Sequence, residues 1–211
     1  KKILSKGNHD LWWQTMNKMS AMMKQHHYET ISFLHNNAHL CEDFIVVGTR
    51  GWYDETKEKV AENTDNAKIV ARETMRLHAR IEAGRRLDAE NPADKPREMI
   101  AVLHFPAVFK DYICPEIVAE LQKAGIRRCY YGHIHGNYES PARIEYEGIT
   151  FHLISADYVL FKPERIWPLA EETDEKTEKL TVNGTEIPVA DTRKNDGVYL
   201  HFCNIQDNSA S

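Results

Sequence analysis

No Cys-x-x-Cys pair occurs in the 211 residues; Cys41, Cys114, Cys129 and Cys203 are scattered along the chain. That scatter argues against a cysteine zinc site and fits thiols kept reduced in the cytoplasm, the expected address. No apolar run reaches the roughly 20 residues that a membrane helix needs, so no membrane partner is expected. Nor does the opening segment have the charged-then-apolar order of a secretory signal. Positive charge is also short: 27 Lys and Arg stand against 32 Asp and Glu, a net charge of −5. A general nucleic-acid binder carries a basic excess, so nucleic acid is not the expected partner. A small phosphorylated substrate remains open, because bound metal ions reverse the local field. Internal repeats are absent. What is present, 42% hydrophobic and 28% charged residues, is the composition of a globular domain with a real core.

Strand and helix signals alternate in the first part of the chain, and strands predominate later, which implies an α/β class. Lys2 to Lys6 reads as a short strand running into Gly7-Asn8-His9-Asp10. A helix is expected from Leu11 to about Lys24, with Leu11, Trp12, Met16, Met19 and Met23 at helical spacing. Thr30 to Leu34 and Phe44 to Thr49 read as strands, the second buried on both faces. Asp54 to about Glu90 is the longest helical stretch and is closed by Asn91-Pro92. Met99 to Leu103 is another buried strand. Pro115 to Lys123 has proline in its first turn and Gly125 just beyond its end, the signature of a capped helix. Arg128 to Tyr131 is a strand, and Arg143 to Glu147 with Thr150 to Ser155 form a hairpin turning near Gly148. Residues 1–170 thus read as one domain. Residues 171–211 are a polar tail in which Asn183-Gly184 signals a second hairpin.

Three polar clusters stand out, each directly after a strand: Gly7-Asn8-His9-Asp10, then His104 in Leu103-His104-Phe105-Pro106, then Gly132-His133-Ile134-His135. Ligand-binding groups in such sheets collect beyond the carboxyl ends of strands, so the three clusters can meet in one crevice. Each alone has a plainer explanation. A lone histidine at a strand end is usually a hydrogen-bonded structural residue, and Asp10 would serve as a helix N-cap. His133 and His135 point the same way only if their segment is extended. Their joint occurrence, in order, is what carries weight.

In this order the motifs G-N-H-D, a lone histidine after an apolar strand, and G-H-x-H resemble the last three signatures of the calcineurin-like metallophosphoesterases. Gly48-Thr49-Arg50-Gly51-Trp52 and Asp157 to Pro163 further resemble a bacterial branch of that superfamily described only as phosphohydrolases. The resemblance implies an αββα sandwich of two mixed sheets that lacks its N-terminal βαβ portion. It also implies hydrolysis of phosphate esters, monoesters or diesters of a small molecule, by two divalent ions (Mn, Fe, Zn or Ni) with a bridging hydroxide. Asn8, His104 and His133 would hold one ion and His135 would belong to the other. His9 would contact the phosphate or protonate the leaving oxygen, with Asp10 orienting its ring and a helix start after Asp10 favouring phosphate.

Two earlier signatures of the family, D-x-H and G-D, are missing, and with them the carboxylate that would bridge the ions. Asp191, Asp196 and Asp207 lack the D-x-H context. The expectation is therefore a truncated or partly recorded enzyme. Its rivals are a non-catalytic scaffold or metal-binding protein on the same fold, an inactive fragment, or a nuclease. Arg50, just past a strand, is a candidate phosphate clamp because its fork engages two oxygens. Arg72, Arg76 and Arg80 repeat every four residues, either as a solvated face balanced by Glu73 and Glu82 or as a helix attracting an anionic substrate. His35 and His39 read as exposed loop histidines. One of Trp12 and Trp13 should face the core, and Tyr158 is structural or part of a pocket wall.

Overall fold

A computed structural model describes residues 2–53, 64–167, 179–182, 185–188 and 198–200. In chain order they form Lys2–Ser5 (β1), Met16–Gln25 (α1), Ile31–Leu34 (β2), His39–Cys41 (β3), Phe44–Thr49 (β4) and Thr64–Glu90 (α2). Glu98–Leu103 (β5), Val108–Phe109 (β6), Tyr112–Ile113 (β7), Pro115–Ala124 (α3) and Arg128–Tyr131 (β8) follow. The chain continues through Arg143–Tyr146 (β9), Ile149–Leu153 (β10), Glu164–Ile166 (β11), Lys179–Val182 (β12), Thr185–Pro188 (β13) and Val198–Leu200 (β14). Among the described residues no helix is long and apolar enough to cross a membrane.

The main sheet has six strands in the order β3-β4-β5-β8-β10-β9, with β4, β5, β8 and β10 parallel and the two edge strands antiparallel to their neighbours. Alternation along these strands feeds two cores at once. Ile45, Val47, Ala101, Leu103, Cys129, Tyr131 and Phe151 face α2 and α3, meeting Leu77, Ile81, Ile117 and Leu121. Those four helix residues are 0–1% exposed. At about 2 kcal/mol per buried side chain, they hold the helix layer in place. Gly84 permits the close approach, since a Cβ there would sit 2.9 Å from Ile45. Phe44, Val46, Ile100, Val102 and Tyr130 face the other way and pack on Leu34 of β2 and Ile166 of β11, with Ile3 of β1 alongside.

β1 and β2 form a parallel pair of their own, with Ser5 opposite Leu34. Trp13, Met19 and Phe33 build a third small cluster that seats α1 on the far side of that pair. The layers therefore run helices, six-stranded sheet, two-stranded sheet, helix. The expectation of two mixed sheets is corrected here. Among the described residues only the six-stranded sheet is mixed, and β1 and β2 form a separate parallel pair.

Other boundaries moved for identifiable reasons. α1 begins at Met16, not Leu11, because Asp10 folds the preceding residues into a turn: its Oδ2 accepts from the Gly7 N–H (2.6 Å) and its Oδ1 from the Trp12 indole (3.1 Å). The N-cap position falls on Thr15, so Asp10 caps nothing. Trp13 is buried and Trp12 is half exposed, as one of the two had to be. α3 ends with Gly125 left-handed at φ 76, as the capped-helix signature requires. Residues 54–63 of the expected long helix lie outside the described residues, as does Asn183-Gly184. β12 and β13 nonetheless pair antiparallel on either side of that dipeptide, and β14 pairs with β11, which ties the tail back to the domain.

Candidate functional site

Each sequence-derived site residue follows a strand that has at least one parallel neighbour in its sheet. Asn8 comes after β1, Arg50 after β4, His104 after β5, and His133 after β8. Gly7 lets the first loop press against the third strand's end, because a Cβ there would lie 2.9 Å from the His104 ring. Across that contact His104 Nε2 donates to Asn8 Oδ1 at 2.6 Å, joining residues 96 positions apart. The His104 ring is 4% exposed. It stands edge-on to Phe105 and lies 5.1 Å from the His133 ring, which in turn packs 4.4 Å from Phe105. Burial pushes the His104 pKa down to about 3, assisted by the positive charges that His133, Arg50, His9 and His135 can carry. With Nε2–H given to Asn8, the neutral ring keeps its lone pair on Nδ1, the side turned to Gly7.

The Gly-His-Ile-His loop is turned, not extended. His133 takes a left-handed φ of 68 and the Ile134 N–H donates to Gly132 O at 2.8 Å. A left-handed non-glycine residue stores about 1–2 kcal/mol, and such strain collects at functional positions. The turn separates the two imidazoles: His133 faces His104, whereas His135 swings outward to Asp157. His135 Nδ1 donates to Asp157 Oδ1 at 2.7 Å, and Asp157 Oδ2 takes the Gly136 N–H (2.9 Å) and the Tyr138 hydroxyl (3.3 Å). These bonds hold the Asp157 carboxyl below its usual range against the opposing effect of burial, the largest single influence on it. With Nδ1–H engaged by Asp157, Nε2 is the nitrogen that His135 would offer to a metal.

His9 is exposed at the rim of the same loop. Asp10 does not turn to its ring: both carboxylate oxygens are spent on Gly7 and Trp12, so Asp10 braces the loop. No helix start lies next to this loop either, since α1 begins at Met16. Arg50 extends over Phe105 and Trp52, with its guanidinium carbon 5.7 and 5.9 Å from the two ring centres. The Phe105 N–H donates to Arg50 O at 2.8 Å, which fixes one loop on the other. The loop histidines also differ from expectation. His39 belongs to β3 and its Nε2 donates to Phe33 O at 2.9 Å, while His35 is half buried. Tyr158 is structural, its hydroxyl donating to Ser140 O at 2.7 Å.

An amide oxygen in contact with one imidazole and a second imidazole beside it form a neutral donor set suited to one ion of the Mn-to-Zn series. Asn8, His104 and His133 are the residues that would hold one ion; among the described residues no three His, Cys, Asp or Glu side chains group closely enough to hold a metal ion. Sequence reasoning missed Asp157 and Phe105 as parts of the site. Asp157 stands in the loop after β10, at the head of the Asp157-to-Pro163 segment that carried the finer resemblance, and that segment was the available signal. No family model, curated protein or solved structure matches the chain.

Proposed function

We propose that this chain carries the metal-binding and phosphate-facing half of a cytoplasmic phosphoester hydrolase of the calcineurin-like metallophosphoesterase type. The observation that carries the reading is the 2.6 Å contact between Asn8 Oδ1 and His104 Nε2, with the His133 ring beside it. Three residues remote in sequence, each of a type and position the family motifs specify, lie side by side, and their donors would be offered to one ion. A bound divalent ion there would polarise a phosphoryl oxygen and lower the pKa of a water. The chain's own residues do the rest. Arg50, its fork stacked and therefore oriented, takes two phosphate oxygens. His9, exposed at the rim, hands a ring proton to the departing oxygen. Phe105 and Trp52 wall the site and lower the local dielectric, which strengthens both contacts. Binding of one ion needs only these residues; turnover by two-ion chemistry needs the D-x-H and G-D carboxylates as well.

A scaffold on the same fold without turnover is the second reading, since the D-x-H and G-D carboxylates that two-ion chemistry needs are not in this sequence. Calorimetric titration with Mn, alongside assays with a chromogenic phosphomonoester and a phosphodiester, separates the two. Metal binding with metal-dependent hydrolysis supports the enzyme, and binding without hydrolysis supports the scaffold. A chain that binds no metal while His104→Ala and wild type behave alike would sink both.

A further inference from the structure

One face of α2 and Asn36 enclose a groove of about 580 Å³ lined by Lys68, Arg72, Met75, Arg76 and Arg80. Four cations spaced by four residues share one helix face. The last of them is not a solvated side chain. Arg80 is 5% exposed; its Nη1 donates to Gly48 O (2.8 Å) and its Nη2 to Asn36 Oδ1 (3.1 Å), while its buried Nε has no acceptor. An unanswered buried donor is costly and marks a place where an acceptor fits. Glu73, the acid beneath the groove, is consumed internally by Thr49 and Arg76. His35, next to Asn36, is held below its ordinary pKa by burial and then by the charges of Arg80, Arg76 and Lys6. In a chain of net charge −5, this is a local positive field.

The groove adjoins the candidate centre by construction. Pairing of Ser5 with Leu34 brings Lys6 to His35 and the Gly7-Asn8 loop toward Asn36. On the other side, Gly48 and Thr49, which Arg80 and Glu73 grip, lead straight into Arg50. Successive residues at the same strand ends therefore build both the centre and the groove's rim.

We propose that the groove is a second anion subsite, taking one phosphate of a small bisphosphorylated substrate while the other phosphate sits at the Asn8–His104–His133 centre. Arg72 and Arg76 supply guanidinium forks for that phosphate, and the apolar surface of Met75 and the neighbouring alanines takes the carbon skeleton between the two groups. The assignment rests on the hydrolase reading, and the test separates the two. Fructose 1,6-bisphosphate and fructose 6-phosphate serve as probes in calorimetric titrations with and without Mn. Wild type should bind the bisphosphate at least ten-fold more tightly than the monophosphate. An Arg72→Gln/Arg76→Gln double variant should bring the ratio close to one without altering Mn affinity. Arg72→Gln alone, which leaves the Arg76–Glu73 pair intact, should lower the ratio part of the way. Equal affinity for the two probes in wild type, or a ratio unchanged in the variants, overturns the subsite. A protein that binds no Mn yet keeps an arginine-dependent preference for the bisphosphate would preserve the groove and reject the metal centre.

Discussion

His104 is buried, neutral and in contact with Asn8, and a histidine so placed has much to lose on protonation. His152 offers a cleaner case of the same physics, because it lies away from the candidate centre. It stacks on Tyr130 with ring centres 4.5 Å apart, and its Nε2 is buried without a partner. Burial, then Arg143 and Arg128, lower its pKa to about 4. The unfolded chain takes up this proton below about 6.5, the folded chain only near 4. Stability is therefore fully present above the higher value and drains away as pH falls through the window between them. Urea unfolding should show a loss of about 2–3 kcal/mol from this one group between pH 7 and pH 4. In His152→Phe the acid limb should be shallower by that amount; an identical limb would remove His152 from the explanation. Asp157 makes a second residue-scale prediction. Asp157→Ala should shift the His135 tautomer seen by nitrogen NMR, and Asp157→Asn should recover part of that shift. An unchanged His135 spectrum would make the carboxylate a loop brace and no more. Asn8, His104 and His133 were legible in the sequence because each follows a strand directly. Asp157 was not, because its bond to His135 spans 22 positions and depends on a turned loop.

At the scale of elements, α2 is fastened to β4 by more than apolar packing. Thr49 Oγ1 donates to the 1%-exposed Glu73 carboxylate, which also receives Arg76, while Arg80 reaches the Gly48 carbonyl. The Glu73 charge opposes the depression of the Arg80 pKa that burial causes, so it balances the buried guanidinium. Removing one partner of a buried pair strands the other. Glu73→Ala should therefore cost about 3–5 kcal/mol, read from denaturant midpoints, whereas Thr49→Val should cost only about 1 kcal/mol. Equal small effects would mean that solvent reaches Arg80. This network explains why the arginine repeat misled in part. A four-residue spacing places three side chains on one face, but it does not say that Arg80 sits where the helix meets the sheet. The inner strands were legible because two-sided burial writes continuous apolar runs such as Phe44–Val47 and Ile100–Leu103. β3, β6, β7 and β11 were not, since strands of two or three residues have no period to detect. The start of α1 was misplaced because apolar spacing continues through Leu11 and Trp12, and only the bonds of Asp10 reveal that the backbone there is turned.

On the scale of the whole molecule, the candidate centre joins two layers that also meet through apolar packing and the His39–Phe33 hydrogen bond. Asn8 belongs to the loop of the two-stranded layer, and His104 and His133 belong to the six-stranded sheet. An ion shared by them would cross-link the layers, and an unfolded chain could not present the same three donors together. Mass action then predicts stabilisation. Mn at a hundred times its dissociation constant adds about 2.7 kcal/mol, and at about 2–4 °C per kcal/mol for a chain of this size the melting temperature should rise by about 5–10 °C. Asn8→Ala should abolish the rise and cost the metal-free protein about 1 kcal/mol, because the buried His104 Nε2–H loses its acceptor while Asp10 still braces the loop. His104→Ala should also abolish it, but from a lower starting point, since that ring is packed between Phe105 and His133. The contrast between the two variants is the discriminating result. Loss of the shift in both, with unequal metal-free stabilities, is what a shared ion requires. A shift that survives Asn8→Ala would move the ion away from the interface between the layers, and the amide would then be a hydrogen-bond partner of His104 alone.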